Sequence, residues 1–316
     1  MWVALWMFAC GGSEKPEAST APPCPRGTLD EGFCDTDGDL LADLPTTGGK
    51  DPATLIFSYT PVEDPAVYEK AWQPFLDHLS TITGKPVRFF QVQKNAAQIE
   101  AMRAGRLHVA GVNTGSTALA VNCAGFVPFT MMAAADGSFG YEMEIITHVD
   151  SGIARIQDLK GRTLVFTSPT SNSGFKAPSA LMKEEFGLVA GEDFETRFSG
   201  KHDNSVLRVV NRDDDAAAIA NSVMKRMVDR GLVDPTQLRT LYTSQSFPTT
   251  AYGHAHDLEP ELAEKIRQAF TTFAWAGTAL EAEFDKEDQF VPIDYAEAWK
   301  TVRRIDAANG VSYDCR

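Results

Sequence analysis

Residues 168–178 read Ser-Pro-Thr-Ser-Asn-Ser-Gly-Phe-Lys-Ala-Pro, and they join an apolar strand predicted at 164–166 to a helix predicted over 180–186. The N–H groups at the start of a helix have no intrahelical acceptor, so together with the helix dipole they favour an anion. Hydroxyl and amide side chains add neutral donors around this point: Ser171, Asn172 and Ser173. An ordinary hydroxyl N-cap is the simpler interpretation of this turn in isolation. The anion-site interpretation therefore depends on the remainder of the chain.

The composition is that of a large, acidic globular protein. Its 316 residues, 43% of them hydrophobic, are enough for one large or two medium domains. A formal net charge of −14 argues against nucleic acid and against an anionic membrane surface as partners. It does not exclude an anionic small ligand, because N–H dipoles and hydroxyl groups hold an anion without any net positive charge on the protein.

Strand and helix patterns alternate through the first half of the chain after residue 54. Strands are predicted at 55–58, 87–92 and 107–112, and helices at 64–79 and 95–104 lie between them. This order predicts a parallel sheet, which binds ligands at the carboxyl ends of its strands. Polar residues follow those ends: Tyr59, Thr60, Asn113, Thr114, Gly115 and Ser116.

A second alternating unit begins after residues 144–147, and the chain returns to the first unit near 248–252. The elements predicted for it are a strand at 163–166, the helix after Ser173, a strand near 194–198, a helix at 204–211, a short segment at 216–220 and a strand at 238–242. The sequence therefore predicts an α/β protein of two lobes, 52–147 plus 246–316 and 148–245. Two crossings join them, and the ligand cleft lies between.

Several separated segments resemble a known family in order and spacing. They are Trp72-Gln-Pro-Phe75, Glu100-Ala-Met-Arg103, Ala135-Asp-Gly-Ser-Phe-Gly-Tyr141, Asp158-Leu-Lys-Gly161, Pro169-Thr-Ser-Asn-Ser-Gly-Phe175 and Gly200-Lys-His202 with Asp215 downstream. Over residues 54–308 the chain resembles the substrate-binding component of phosphate, phosphite and phosphonate ABC transporters. The resemblance implies a type II periplasmic binding protein that requires no cofactor. It also implies a monomer that passes a small phosphorus oxyanion to the permease and ATPase of an importer.

The resemblance also assigns roles to individual residues. The turn that grips the phosphonate oxygens falls on Ser171, Asn172 and Ser173, with Asn at the middle position where Thr is often found. The family's tyrosine after the Gly-rich turn matches Tyr141, and its phosphonate-facing histidine matches His202. Both are neutral donors, and a protonated His202 adds a charge-assisted bond. The strand ends complete the expected set with Tyr59, Asn113 and Thr114.

Three further expected binding residues depart from the family pattern. Ser222 and Thr250 stand where aminophosphonate binders place a carboxylate on the ligand's ammonium, and Asn95 stands at a second tyrosine position. Burying an alkylammonium group without a counter-charge is costly. We therefore expect phosphate, phosphite or a very small phosphonate as the ligand.

Two other functions compete with an importer component. A hydrolase built on Ser171, His202 and Asp215 is disfavoured, since the chain has no Gly-x-Ser-x-Gly elbow. The alternative is a sensor that binds an oxyanion, including arsenic species, and presents its closed form to a histidine kinase. Neighbouring genes for a permease and ATPase, or for a kinase, distinguish the two.

The N-terminus predicts the location of the protein. An apolar run at 2–9 ends at Cys10, and a polar tether follows within 11–51, as in a bacterial lipoprotein signal at 1–10. The positively charged start of such signals is missing, so either translation begins upstream or the run is a coincidence. We expect a lipid-anchored protein on the extracytoplasmic face of the cell envelope.

The cysteines and acidic residues of the tether suggest two further features. Cys24 and Cys34 are close enough in sequence to form a small disulfide loop, whereas Cys123 and Cys315 either pair or leave Cys123 buried and free. Alternating carboxylates around a glycine turn are suited to a structural calcium ion, although a solvated acidic linker explains them equally well. The carboxylates are Asp35, Asp37, Asp39 and Asp43.

Overall fold

The computed structural model describes residues 24–284, 287–313 and 315. The predicted signal at 1–10, its Cys10 and the tether up to residue 23 lie outside the described residues. The strands are β1 (Leu55–Tyr59), β2 (Val87–Phe89), β3 (Val109–Val112), β4 (Phe126–Ala133), β5 (Tyr141–His148), β6 (Thr163–Phe166), β7 (Glu195–Phe198), β8 (Ala216–Ala220), β9 (Leu238–Phe247), β10 (Ala251–Ala255) and β11 (Gln289–Pro292). The α-helices are α1 (Pro65–Thr83), α2 (Asn95–Arg103), α3 (Thr114–Ala124), α4 (Ala177–Glu184), α5 (His202–Val210), α6 (Asn221–Asp229), α7 (Pro260–Thr271), α8 (Ala279–Glu283), α9 (Tyr295–Ala298) and α10 (Lys300–Ala308).

Two mixed sheets form the two lobes. Strand order is β11-β4-β10-β3-β1-β2 in the first sheet and β7-β6-β8-β5-β9 in the second. Strand β1 pairs in parallel with β2 and β3, and β6 pairs in parallel with β7 and β8. The strands entering from the other lobe, β10 and β5, run antiparallel to their neighbours. The α/β fold of two lobes that the sequence predicts is therefore confirmed.

The predicted lobe boundaries are wrong by several residues. Strand β5 was predicted at the end of the first lobe, but it pairs with β8 and β9 in the second sheet. The first crossing therefore lies at 134–140 instead of near 147, and the second lies at 248–250, after β9. An apolar strand has the same sequence pattern in either sheet, so only its hydrogen-bonding partners identify its lobe.

The segment at 24–50 packs on the first lobe and is not the flexible tether that the sequence predicts. Cys24 and Cys34 form a disulfide, and Leu29 is only 5% exposed. The ring of Phe33 packs edge-on against His256 at 4.8 Å between ring centres. Buried apolar contacts and a short covalent loop fix this segment in place.

The C-terminal helix α10 bridges the two lobes. Asp306 on this helix forms a buried ion pair of 2.8 Å with Lys176 of the second lobe, and Lys176 also donates to the Gly115 carbonyl of the first lobe at 2.7 Å. The chain end is joined to α3 by a disulfide between Cys123 and Cys315, which the sequence left open. None of the described helices combines the length and apolar character that a membrane crossing requires.

Candidate functional site

A cavity of about 80 Å³ lies between the lobes. A single buried water molecule requires a cavity volume of only about 10–15 Å³ on the same measure, so this cavity accommodates a small polyatomic ion. The first lobe contributes Tyr59, Asn113, Thr114 and Thr250 of the predicted binding residues, and the second lobe contributes Tyr141, Ser171, Asn172, Ser173, His202 and Ser222. The structure thus brings together every predicted binding residue except Asn95.

Asn95 connects the lobes but does not line the cavity. Its Oδ1 accepts a hydrogen bond from Thr60 at 3.1 Å, and its Nδ2 donates to Thr170 of the opposite lobe at 3.0 Å. Its role in ligand binding stays a prediction, and it lines a smaller neighbouring pocket together with Asn113 and Ser171. The backbone N–H of His202 also donates across the cleft, to Val62 at 3.2 Å. These contacts identify the closed form.

The hydroxyl turn begins a helix at the point that the sequence suggests, but through an unexpected geometry. Residues Asn172–Lys176 form one π-helical turn that continues into α4, so the helix starts well before the predicted residue 180. Ser171 is its N-cap and accepts from the Gly174 N–H at 3.0 Å, which leaves the Ser171 hydroxyl proton available. Asn172 and Ser173 are buried at the first positions, where N–H groups lack intrahelical acceptors.

Tyr141 faces this turn from the start of β5. The Asn172 amide donates to its hydroxyl oxygen at 3.3 Å. Burial raises the pKa of Tyr141, with hydrogen bonds from Thr114, Asn172 and Ser173 acting in the opposite sense. The phenol is therefore neutral and retains a proton that it can donate.

His202 is also a neutral donor, because burial lowers its pKa to about 4. The backbone N–H of Ala220 donates to Nδ1 at 3.1 Å, so the ring proton resides on Nε2. Nε2 faces the Ser171 hydroxyl at 3.4 Å and points toward the turn. The charge-assisted bond that a protonated His202 would add is therefore absent at neutral pH.

The same geometry does not form the hydrolytic triad considered above. The Nδ1 atom of His202 already accepts a hydrogen bond and cannot donate one to a carboxylate. Asp215 instead accepts from the Thr163 N–H at 2.8 Å. Ser171 therefore lies beside a histidine that nothing orients as a general base.

The first lobe presents a second helix start to the cavity. Asn113 caps α3 by accepting from the Ser116 N–H at 2.8 Å, and Thr114 donates to the Pro248 carbonyl at 2.8 Å. Gly115, the next residue of α3, approaches the turn closely, since a Cβ there would lie 2.3 Å from the Thr170 carbonyl oxygen. Two helix starts from opposite lobes therefore meet at the cavity.

Sequence reasoning missed a group of residues that also line the cavity. They are Val62, Met132, Gly140, Val223, Arg226, Thr249, Tyr252, Phe284 and Glu287. Helical spacing could have revealed Arg226, which lies one turn after Ser222 on α6 and therefore on the same face. Glu287 carries no such local signal. Two polar atoms of the described cavity lining, Thr249 Oγ1 and Asn172 Oδ1, are buried and have no hydrogen-bond partner in the protein.

The metal ligands predicted in the N-terminal segment do not all converge. Carboxylate oxygens of Asp35, Asp37 and Asp39 lie within 4.8 Å of one another. Asp43 stays outside this cluster and accepts from the Thr36 N–H at 2.9 Å. Burial raises the pKa of Asp39, and the neighbouring carboxylates of Asp37 and Asp35 raise it further.

Known proteins resemble this chain along most of its length. It is 29% identical over 324 aligned residues to the phosphate-import protein PhnD of Mycolicibacterium smegmatis, with 99% of this chain and 92% of that protein covered. The structure superposes on a binding component of an ABC phosphonate transporter from Pseudomonas aeruginosa with a TM-score of 0.73, at 23% identity over 82% of this chain and 89% of that one. PhnD1 from Prochlorococcus marinus, solved with methylphosphonate, gives a TM-score of 0.74 at 16% identity, over 83% of this chain and all of its own (100%).

The family assignment rests on the long match of the sequence itself. Residues 57–299 match the family of periplasmic substrate-binding proteins of phosphonate ABC transporters. Members of this family bind a solute outside the cytoplasm, which agrees with the two lobes and the intervening cavity. The chain therefore belongs to the family of periplasmic substrate-binding proteins of phosphonate ABC transporters.

Proposed function

We propose that the protein captures phosphate, phosphite or a small phosphonate in the interlobe cavity and delivers it to the permease of an ABC importer. The observation that carries this proposal is the meeting of two helix starts, at Asn113 and Ser171, around a small cavity between the lobes. Hydroxyl groups and a neutral His202 surround them. Oriented neutral donors of this kind bind an oxyanion without requiring a positively charged protein.

The size and lining of the cavity favour a compact oxyanion over a long aminoalkyl phosphonate. Ser222 and Thr250 are uncharged, and the Glu63 carboxylate is bound by Arg226 and Arg230. We expect the donor-rich end near Ser173 to dominate selection.

Calorimetric titration of residues 24–316 with phosphate, phosphite, methylphosphonate, aminoethylphosphonate, sulfate and arsenate tests the proposal. We expect an inorganic phosphorus oxyanion or methylphosphonate to bind more tightly than aminoethylphosphonate. Ser173→Ala should weaken that binding by about 10- to 100-fold, because a hydrogen bond to a charged group contributes about 1.5–3 kcal/mol.

Ser168→Ala is the matched control, since Ser168 lies in the same loop but does not line the cavity. It should bind like the wild type. Ser222→Glu should weaken phosphate binding by repulsion and improve aminoethylphosphonate relative to it. Tight aminoethylphosphonate binding by the wild type would contradict the proposed ligand class.

We also propose that Cys10 is lipidated and that the protein acts as an anchored monomer beside its permease and ATPase. The apolar run at 2–9 and the polar segment after Cys10 support the anchor. Cys10→Ser should move the protein from the membrane fraction to the soluble fraction of the cell envelope. A variant that still fractionates with membranes would contradict lipidation at this residue.

We propose that Asp35, Asp37 and Asp39 hold a structural calcium ion. Their converging oxygens are hard ligands, and a cation offsets the mutual repulsion that raises the pKa of Asp39 in addition to its burial. Calcium should protect residues 24–45 from limited proteolysis, and Asp37→Ala should remove the protection. Asp43→Ala, at a carboxylate outside the cluster, should retain it. Equal cleavage in calcium and in chelator would exclude the ion.

A further inference from the structure

Four charged side chains face one another across the cleft. Glu63 precedes α1 and Glu283 ends α8, so both belong to the first lobe. Their partners are Arg226 in the last turn of α6 and Arg230, which caps the C-terminal end of that helix in the second lobe. We call these four residues the cross-cleft ion cluster.

The bonds of the cluster converge on Glu63. Arg226 donates to Glu63 Oε1 from Nε at 3.0 Å and from Nη2 at 2.9 Å. Arg230 donates to Glu63 Oε2 at 2.5 Å and also pairs with Glu283. The Tyr68 hydroxyl donates to Glu63 Oε1 at 2.5 Å. Both oxygens of one carboxylate are thus used, mainly by the opposite lobe.

Burial makes this arrangement dependent on the closed form. Glu63 is 2% exposed. Burial alone would raise its pKa, but Arg226, the Tyr68 hydrogen bond and Arg230 outweigh burial and lower it. A buried carboxylate that loses its cations is strongly destabilising. Because carboxylates and guanidinium groups belong to different lobes, opening the cleft separates them and exposes both to water.

Arg226 has a second surface, which lines the ligand cavity. Among the described lining residues it is the charged donor, since His202 is neutral. Its Nη1 atom takes no part in the bonds to Glu63, and its guanidinium carbon lies 5.5 Å above the ring centre of Phe284. The planar group is therefore held by Glu63 on one edge and by an aromatic face on another.

We propose that Arg226 determines the charge specificity of the site, and that Glu63 positions it through an ion pair that forms as the lobes close. This inference rests on the proposed capture of a phosphorus oxyanion. It adds a cation to a site otherwise made of neutral donors. It also couples the charge beside the ligand to closure, since one carboxylate both orients Arg226 and joins the lobes.

The test compares phosphate and methylphosphonate titrations of four proteins below and above the second ionisation of each ligand. Arg226→Gln should lose about 10- to 100-fold in affinity for the dianion and less for the monoanion, because it removes a charge-assisted bond. Glu63→Gln should lose affinity for both forms while retaining the preference for the dianion. Arg212→Gln removes a charge from the same lobe outside the cavity, and it should change neither the affinity nor the preference for the dianion.

The outcomes separate this inference from the proposed function. Suppose that the wild type binds the ligands and that Ser173→Ala weakens this binding. If the affinity of Arg226→Gln then stays within threefold of the wild-type affinity at both pH values, the role of Arg226 is overturned. If the wild type binds none of these ligands, the proposed function itself fails. Thermal unfolding of each variant checks that it is folded. Should Arg226→Gln not fold, Arg226→Lys replaces it in the test, because lysine keeps the charge but not the planar guanidinium group. An unchanged affinity in Glu63→Gln would still overturn the positioning role of Glu63.

Discussion

Gly115→Ala should weaken ligand binding by about 10- to 100-fold while leaving the fold intact. Gly115 is the residue of α3 that meets the hydroxyl turn of the opposite lobe. An added Cβ would lie 2.3 Å from the Thr170 carbonyl oxygen and 2.4 Å from the Asn172 backbone nitrogen. Overpacking of this kind costs about 1–3 kcal/mol, and backbone atoms cannot rotate away as a side-chain end does.

The cost falls on the closed form, because the clashing atoms belong to different lobes. Calorimetry measures the loss of affinity, and small-angle scattering should show that ligand no longer compacts the variant fully. Gly32→Ala is the control, since Gly32 has open space around its Cβ position. Binding by Gly115→Ala within tenfold of the wild type would show that the two helix starts do not need to meet.

Acidification from pH 7.5 to 5 should lower the free energy of unfolding by about 4 kcal/mol through two buried histidines. Burial lowers the pKa of His202 and of His254 to about 4. In the unfolded chain both histidines titrate near their ordinary pKa of about 6.5, so between pH 4 and pH 6.5 the unfolded chain binds more protons than the folded protein. The contribution of each neutral histidine to stability is therefore fully present above about pH 6.5 and is lost as the pH falls toward 4. At pH 5 the loss is about 2 kcal/mol per histidine.

Urea unfolding at the two pH values measures the effect. His254→Gln should remove about 2 kcal/mol of the difference. His254 lies in β10, away from the cavity lining. His202→Gln should remove a similar amount and weaken ligand binding as well. If His254→Gln keeps the full pH dependence, burial of that ring is not its cause.

The site explains how an acidic protein binds an anion. The net charge is −14, yet the donors at Ser171 and Asn113 act through oriented N–H groups over a few ångströms. Closing the cleft removes water and strengthens each of these bonds. Arg226, held by Glu63, is the cation that the same closure brings to the described lining.

The sequence by itself determined the α/β fold, the hydroxyl turn at Ser171 and the strand-end residue Asn113. These features depend on local patterns: apolar period, N-cap chemistry and the rule that parallel sheets bind ligands at their carboxyl ends. The resemblance to family motifs added Tyr141 and His202. Each lies within a few residues of the element that positions it, so spacing along the chain was sufficient.

Only the tertiary structure decided which lobe contains β5, whether His202 carries a charge and which cation reaches the cavity. Strand pairing joins β5 to β9, about a hundred residues later, on the basis of sheet packing that no local pattern encodes. The charge of His202 depends on its burial and on the Ala220 N–H at Nδ1. Arg226 meets Glu63 across 163 residues of sequence. Such contacts arise from long-range packing, and for this reason the turn was predictable whereas the charges around it were not.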